Sequence, residues 1–246
     1  MNLLILGVDE NRNSDGTVLE NSRVRSDMIL LARLDFENNR ITGVSIPRDT
    51  LATPEGYSTP LRINAFHAIG GAELAAKAVE SLIGVRVDRT IVVSYSGFQR
   101  IVDMLGGVEV NVTKALNYHD DVGNLHIELA KGKQLLNGYE AMGYVRYRKD
   151  SDFQRQQRQK RFLTAFRQRV KERWTKIPAL IDELQKLTGD AFTDEELAAL
   201  FNFGHGLSND SIRLGTIPVW EAENYDLVVD SASLEKTLKE FELLSS

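Results

Sequence analysis

Two rhythms of hydrophobic and polar residues run along this chain. Leu3 to Val8 is a short apolar run that reads as a buried strand ending at Asp9. Met28 to Leu34 and Ile41 to Ile46 repeat the pattern, the second stopped by Pro47. Further strands are predicted at Thr90 to Tyr95, Val108 to Val112, Leu125 to Leu129, Ile212 to Ile217 and Leu227 to Val229. Between them the period lengthens to that of a helix. Asn64 to Ile69 predicts a helical turn, and Ala72 to Ile83 an Ala-rich helix after Gly70-Gly71. Gly97 to Leu105 is a helix closed by Gly106-Gly107.

Farther along, Gly138 to Met142 predicts a helical turn and Tyr144 to Arg148 an extended piece. Asp152 to Trp174 is a long helix, with Phe162, Leu163, Phe166, Val170 and Trp174 at helical spacing. Helices at about Ile177 to Leu187, Asp194 to Phe203 and Leu234 to Leu244 complete the reading. Glu10 to Val24 is polar and predicts a loop. Strands alternate with helices and no Pro/Ser linker or repeat intervenes. This predicts one α/β domain over 1–246, with a core at 3–170 and a C-terminal α/β portion at 171–246.

Charge sharpens the picture. The formal net charge of −5 argues against a general nucleic-acid binder. Yet Tyr144 to Arg173 holds eleven Lys/Arg against three Asp/Glu, while Asp190 to Ser246 holds three against twelve. A basic block inside an acidic chain suggests a local anionic partner. Cysteine is absent, so thiolate and disulfide chemistry are excluded. No apolar run reaches the roughly 18 to 20 residues that span a bilayer, and no signal peptide is visible.

Short connections favour antiparallel pairing of the first three strands. Such a meander brings Asp9, then Arg25 and Asp27, then Arg48 and Asp49 to one sheet edge. Paired carboxylates suit a hard cation such as Mg²⁺, with phosphate oxygens and water completing its shell. Arginine presents a planar, permanently charged fork to phosphate. Surface ion pairing by Asp27 and Arg48, with Asp9 capping a loop, is the plainer alternative; for the set at one edge the two readings balance.

A second basic cluster follows. In an extended Tyr144 to Arg148, Arg146 and Arg148 point to one side. On the long helix Arg155, Arg158, Gln159 and Phe162 share one face, which continues into Phe166 and Val170 and so turns inward. Inward guanidiniums need an anion to meet them, and a helix N-terminus favours one. A solvated basic helix is the competing explanation. Lys160, Arg161, Arg167, Arg169 and Lys171 are left to solvent. His67, His119, His126 and His205 show no ligand spacing, so a zinc site is not expected. There is no nucleophile elbow and no phosphate-binding Gly-Lys-Ser/Thr loop.

In order, Gly7-Val8-Asp9, Arg25-Ser26-Asp27, Ser45-Ile46-Pro47-Arg48-Asp49-Thr50, Ile63-Asn64-Ala65 and Gly70-Gly71 resemble the LytR-CpsA-Psr family. So do Gly106-Gly107-Val108-Glu109-Val110, Gly132-x-Gln134-x-Leu136-x-Gly138, Tyr144-Val145-Arg146-Tyr147-Arg148 and Asp152-x-x-Arg155-x-x-Arg158-Gln159. The resemblance runs from about Leu3 to Val170. It implies an α-β-α sandwich around a central mixed sheet and an apolar groove for a polyprenyl chain. It also implies a phosphotransferase that moves a glycopolymer of teichoic acid or capsule type from a polyprenyl pyrophosphate onto a peptidoglycan hydroxyl. Asp9 and Asp27 are then the Mg²⁺ carboxylates, with Mn²⁺ as a substitute ion. Arg25, Arg48, Arg146, Arg148, Arg155 and Gln159 are the pyrophosphate binders, and Arg48 joins the two aspartates in catalysis. Arg158 matches the motif but is expected to point away. The family carries an N-terminal membrane anchor, absent from these residues, so an extracytoplasmic, membrane-held location is implied. A polyprenyl-pyrophosphate phosphatase and a non-catalytic carrier-lipid binding module are the alternatives.

Overall fold

The computed structural model describes residues 1–9, 24–120, 125–147, 149–173, 177–188 and 192–244. Residues 10–23 of the predicted loop, Arg148 and Trp174 lie outside them. The chain divides into two compact units, 1–94 with 187–192 and 206–246, and 95–186 with 193–205.

The first unit is built on a five-stranded mixed sheet of order β11-β3-β2-β1-β6. β1 (Asn2–Val8) pairs antiparallel with β2 (Ser26–Asp35), and β2 antiparallel with β3 (Arg40–Ser45). This is the predicted meander. β6 (Arg89–Ser94) and β11 (Ile212–Thr216) add on parallel to β1 and β3. Leu4, Leu6, Ile29, Leu31 and Val44 are buried in the sheet, each stabilising by about 1.5 to 3 kcal/mol. Phe66, Ala75, Ala78 and Val79 of α1 (Ile63–Ile83) and Leu238 of α7 (Ser231–Glu240) share that core. α1 kinks where the glycine pair predicted a break: Gly71 has φ 65° and ψ −158°, a conformation that strains any side chain. Two short strands that sequence reasoning missed, β4 (Leu51–Ala52) and β5 (Leu61–Arg62), pair ahead of α1.

The second unit starts with α2 (Tyr95–Met104) and β7 (Val108–Val112), whose valines are buried and whose polar residues are exposed. β8 (Leu116–Asp120) and β9 (Leu125–Leu129) pair antiparallel, and β10 (Gly132–Leu136) pairs with β7. The helices are α3 (Gly138–Arg146), α4 (Asp152–Glu172), α5 (Ile177–Thr188) and most of α6 (Asp194–Gly206). One core gathers Val102, Val108, Leu116, Ile127, Tyr144 and Phe162; another places Leu180 against Leu105, Phe166 and Phe201. In the first unit β12 (Val219–Glu221) and β13 (Leu227–Val229) also form a small antiparallel ribbon. No helix among the described residues is long and apolar enough to cross a membrane.

Candidate functional site

The register of the meander decides where the acidic and basic residues emerge. Gly7 pairs with Met28 but Val8 pairs with Ser26, so β2 carries one extra residue at Asp27. Such a bulge re-aims side chains. Its effect is visible in the burial: Ser26 is fully buried, while Met28, two residues on, is 40% exposed. Asp9 follows Val8 and Arg25 precedes Ser26, so these two leave the same edge on adjacent strands, both exposed.

Pro47 ends β3, and the segment that follows turns back onto the same edge. Thr50 N donates to the Pro47 carbonyl at 3.0 Å. The first amides of α1 have no partner inside their own helix. Ile63 N donates to Thr50 O at 2.7 Å and Asn64 N to Arg48 O at 3.2 Å. His67 Nδ1 lies 2.8 Å from the Val24 carbonyl, tying the entry of β2 to the same helix.

The side chains on this frame form a chain of alternating charge. Arg48 Nη1 donates to Asp27 Oδ1 at 2.6 Å, and Arg48 Nε lies 3.5 Å from Asp49 Oδ2. Arg62 Nη1 donates to Asp49 Oδ1 at 3.2 Å, Arg62 Nε to Asp226 Oδ1 at 2.7 Å, and Arg62 Nη2 to the Asn224 carbonyl at 3.0 Å. Burial works against the charge of Arg48, but hydrogen bonding and attraction from Asp27, then Asp49, outweigh it and hold the guanidinium above its ordinary value. Its side chain is still 39% exposed, so solvent or a ligand reaches it. Ser26 Oγ, Thr50 Oγ1 and Asn64 Oδ1 beside this network are buried and find no hydrogen-bond partner among the described residues.

Sequence reasoning thus brought Asp27, Arg48 and Asp49 together correctly. It missed Arg62 and Asp226, which stand 164 residues apart and carry no local pattern. Arg62 directly precedes the Ile63-Asn64-Ala65 match, its one available signal.

In the second unit, the extended reading is overturned for Tyr144 to Arg146, while Arg148 lies outside the described residues. Residues through Arg146 are helical, because Asn137 starts α3 with a reciprocal cap: its side chain accepts from Glu140 N while Glu140 accepts from Asn137 N, each at 2.9 Å. Burial of Ala141, Met142 and Tyr144 then outweighs the β preference of the Tyr-Val-Arg-Tyr stretch. Arg146 consequently sits in the last helical turn, where a cation suits the helix dipole. Its guanidinium carbon lies 4.1 Å from the Tyr95 ring centroid. Arg155 and Gln159 are half-buried on the first turns of α4.

The inward guanidinium on α4 is Arg158, and protein atoms meet it. It donates to the carbonyls of Tyr144 and Tyr147 and to the Asp150 carboxylate, with both side chains only 4% exposed. No anion is needed to explain that burial. Arg169 was expected in solvent; instead it donates to the carbonyls of Leu105, Gly106 and Gly107, which end α2.

Asp9 and Asp27 offer only carboxylate oxygens, the donor set of a hard cation that keeps water and phosphate oxygens in its shell. No group of three or more His, Cys, Asp or Glu among the described residues is placed to hold a metal ion. A cation here would therefore rely on its ligand for most of its shell.

Comparison with known proteins supplies independent findings. The LytR_cpsA_psr family model matches residues 1–242. The polyisoprenyl-teichoic acid--peptidoglycan teichoic acid transferase TagU of Bacillus cereus is 36% identical over 168 residues, 67% of this chain and 51% of that protein. The regulatory protein MsrR of Staphylococcus aureus is 31% identical over 174 residues, 69% of this chain and 49% of its own length. The chain thus spans about half the length of the curated relatives it matches. The crystal structure of B. subtilis TagV superposes with a TM-score of 0.76 at 27% identity, covering 98% of this chain and 95% of that one. A structure of TagT bound to LI-WTA gives 0.73 at 26%, covering 98% and 89%. These matches bear out the mixed α/β fold expected from the sequence.

Proposed function

The chain belongs to the LytR-CpsA-Psr family, and from that premise we propose that it transfers a glycopolymer from a polyprenyl-pyrophosphate carrier to a peptidoglycan hydroxyl. The observation that carries this reading is the Asp27–Arg48–Asp49–Arg62 network at the edge of the mixed sheet, charged on both signs and open to ligand at Arg48. A binder of anions alone gains nothing from carboxylates beside a phosphate.

In the proposed reaction the acceptor hydroxyl oxygen attacks the sugar-proximal phosphorus. A new P–O bond forms, the bridging P–O bond breaks, and polyprenyl phosphate leaves with the electron pair. A carboxylate of Asp9 or Asp27 takes the hydroxyl proton. Arg25, Arg48, Arg146, Arg148, Arg155 and Gln159 bind the pyrophosphate and spread the charge that develops on it. Mg²⁺, held by Asp9 and Asp27 with phosphate oxygens, would supply further charge neutralisation when bound. The reading places the protein at the extracytoplasmic face of the membrane, anchored beside its carrier lipid.

Purified protein incubated with a polyprenyl-pyrophosphate-linked glycan and Mg²⁺ tests this directly. Release of polyprenyl phosphate that requires peptidoglycan, with glycan joined to the acceptor, is the expected result. Release without acceptor would establish a phosphatase. Tight binding without release over long incubation would establish a carrier-lipid module.

A further inference from the structure

We propose that His119 and His126 form a binding site for a divalent transition metal ion such as Zn²⁺ on the β8–β9 hairpin. The two residues are seven positions apart in sequence, a spacing that matches no helical ligand pattern. The antiparallel register makes them direct partners across the strands. Their Nδ1 atoms face each other at 3.3 Å, with ring centroids 5.6 Å apart and planes inclined at 46°.

That nitrogen separation, which an N–H···N hydrogen bond spans in the metal-free pair, is also the one a tetrahedral ion imposes. Zn–N bonds of about 2.0 to 2.1 Å at a tetrahedral angle put two imidazole nitrogens about 3.3 to 3.4 Å apart. The surroundings also select the correct lone pair. His119 Nε2 lies 3.3 Å from Glu128 Oε1 on β9. In the neutral ring, an Nε2–H donated to that carboxylate leaves Nδ1 unprotonated and facing His126. This carboxylate–histidine arrangement orients a ligand ring. The strand bearing His126 is fixed as well, since His126 N donates to Tyr139 Oη at 2.8 Å.

A core role does not explain the pair. His119 and His126 are both exposed and Glu128 is 73% exposed, whereas the alternate residue Ile127 is buried. Exposure lets an ion enter without the hairpin opening. Two ring nitrogens supply half of a tetrahedral shell, and water or an added ligand supplies the rest. Nitrogen donors favour zinc, nickel and copper over magnesium, so the site differs in chemistry from the Asp9/Asp27 pair and stands or falls separately from the proposed transfer.

The test is Zn²⁺ titration of the whole chain in excess Mg²⁺, followed by calorimetry and by ¹⁵N NMR of the imidazoles. One Zn²⁺ per chain is expected, with the Nδ1 resonances of two histidines moving together. His119→Ala and His126→Ala should each weaken binding at least tenfold, and Glu128→Gln should weaken it by about 10 to 100-fold while keeping both ligands. Zn²⁺ affinity unchanged in both histidine variants, or ring resonances of the unaltered protein that do not respond to Zn²⁺, would overturn the proposal.

Discussion

Each unit holds an arginine–aspartate pair, and the two pairs use the same chemistry to opposite ends. Arg158 and Asp150 are each 4% exposed, and the guanidinium's three nitrogens meet two carbonyls and a carboxylate. Arg48 and Asp27 are 39% and 25% exposed, and the guanidinium meets the carboxylates of Asp27 and Asp49. An arginine whose fork is filled by backbone carbonyls splints a chain segment. One that leans on carboxylates at a surface keeps its charge and part of its fork for something else. Burial alone would have marked Arg158 as the important anion binder; the identity of its partners reverses that conclusion.

The sharpest way to break this contrast is to remove the splint. Arg158→Ala leaves the carbonyls of Tyr144 and Tyr147 without their donor and Asp150 with Lys114 in place of the guanidinium, and should cost about 3 to 5 kcal/mol of stability in urea unfolding. Little loss there would place Arg158 among the ligand-binding arginines after all. Arg48→Ala should do the reverse. Transfer should fall by about 10² to 10³-fold, as for the loss of one transition-state donor, while stability changes by about 1 kcal/mol or less, as befits a half-exposed pair. Arg62→Ala, which frees Asp226 and leaves Asp49 to Arg48 alone, should lower transfer by about tenfold. Asn137→Ala should cost about 1 kcal/mol by uncapping α3, read as a shift in the unfolding midpoint.

Acid sharpens the contrast further. Burial pushes the Asp150 carboxyl up, but the hydrogen bond and charge of Arg158, joined by Lys114, hold it below its usual value. A depressed folded-state pKa means that the stabilisation is complete above the unfolded value of about 3.9 and fades as pH falls through the lower folded one. Unfolding measured between about pH 5 and 2 should show this loss in the parent protein. The acid dependence should flatten in Arg158→Met.

Much of this was legible because it rests on local rules. The meander followed from short connections, and with it the shared edge for Asp27, Arg48 and Asp49. The break in α1 followed from Gly70-Gly71. The misreadings came where distant chain decides the outcome. Tyr144 to Arg146 has strand-like residues, yet a cap seven positions upstream and the burial of Tyr144 make it a helix. Arg62 gains its role from Asp226, and Arg169 from the end of α2. The bulge at Asp27 leaves no mark in composition, since one surplus residue in a strand looks like any other.

α1 is, mechanically, two levers sharing one name. The piece before Gly70 touches the chain at Val24, Arg48 and Thr50 through His67, Asn64 and Ile63, and Arg62 leads into it. The piece after Gly71 supplies Ala75, Ala78, Val79 and Ile83 to the hydrophobic interior. The glycine joint lets the two pieces run in different directions, while Ile63 and Phe66 keep the forward one seated in the same interior as it holds the charged rim.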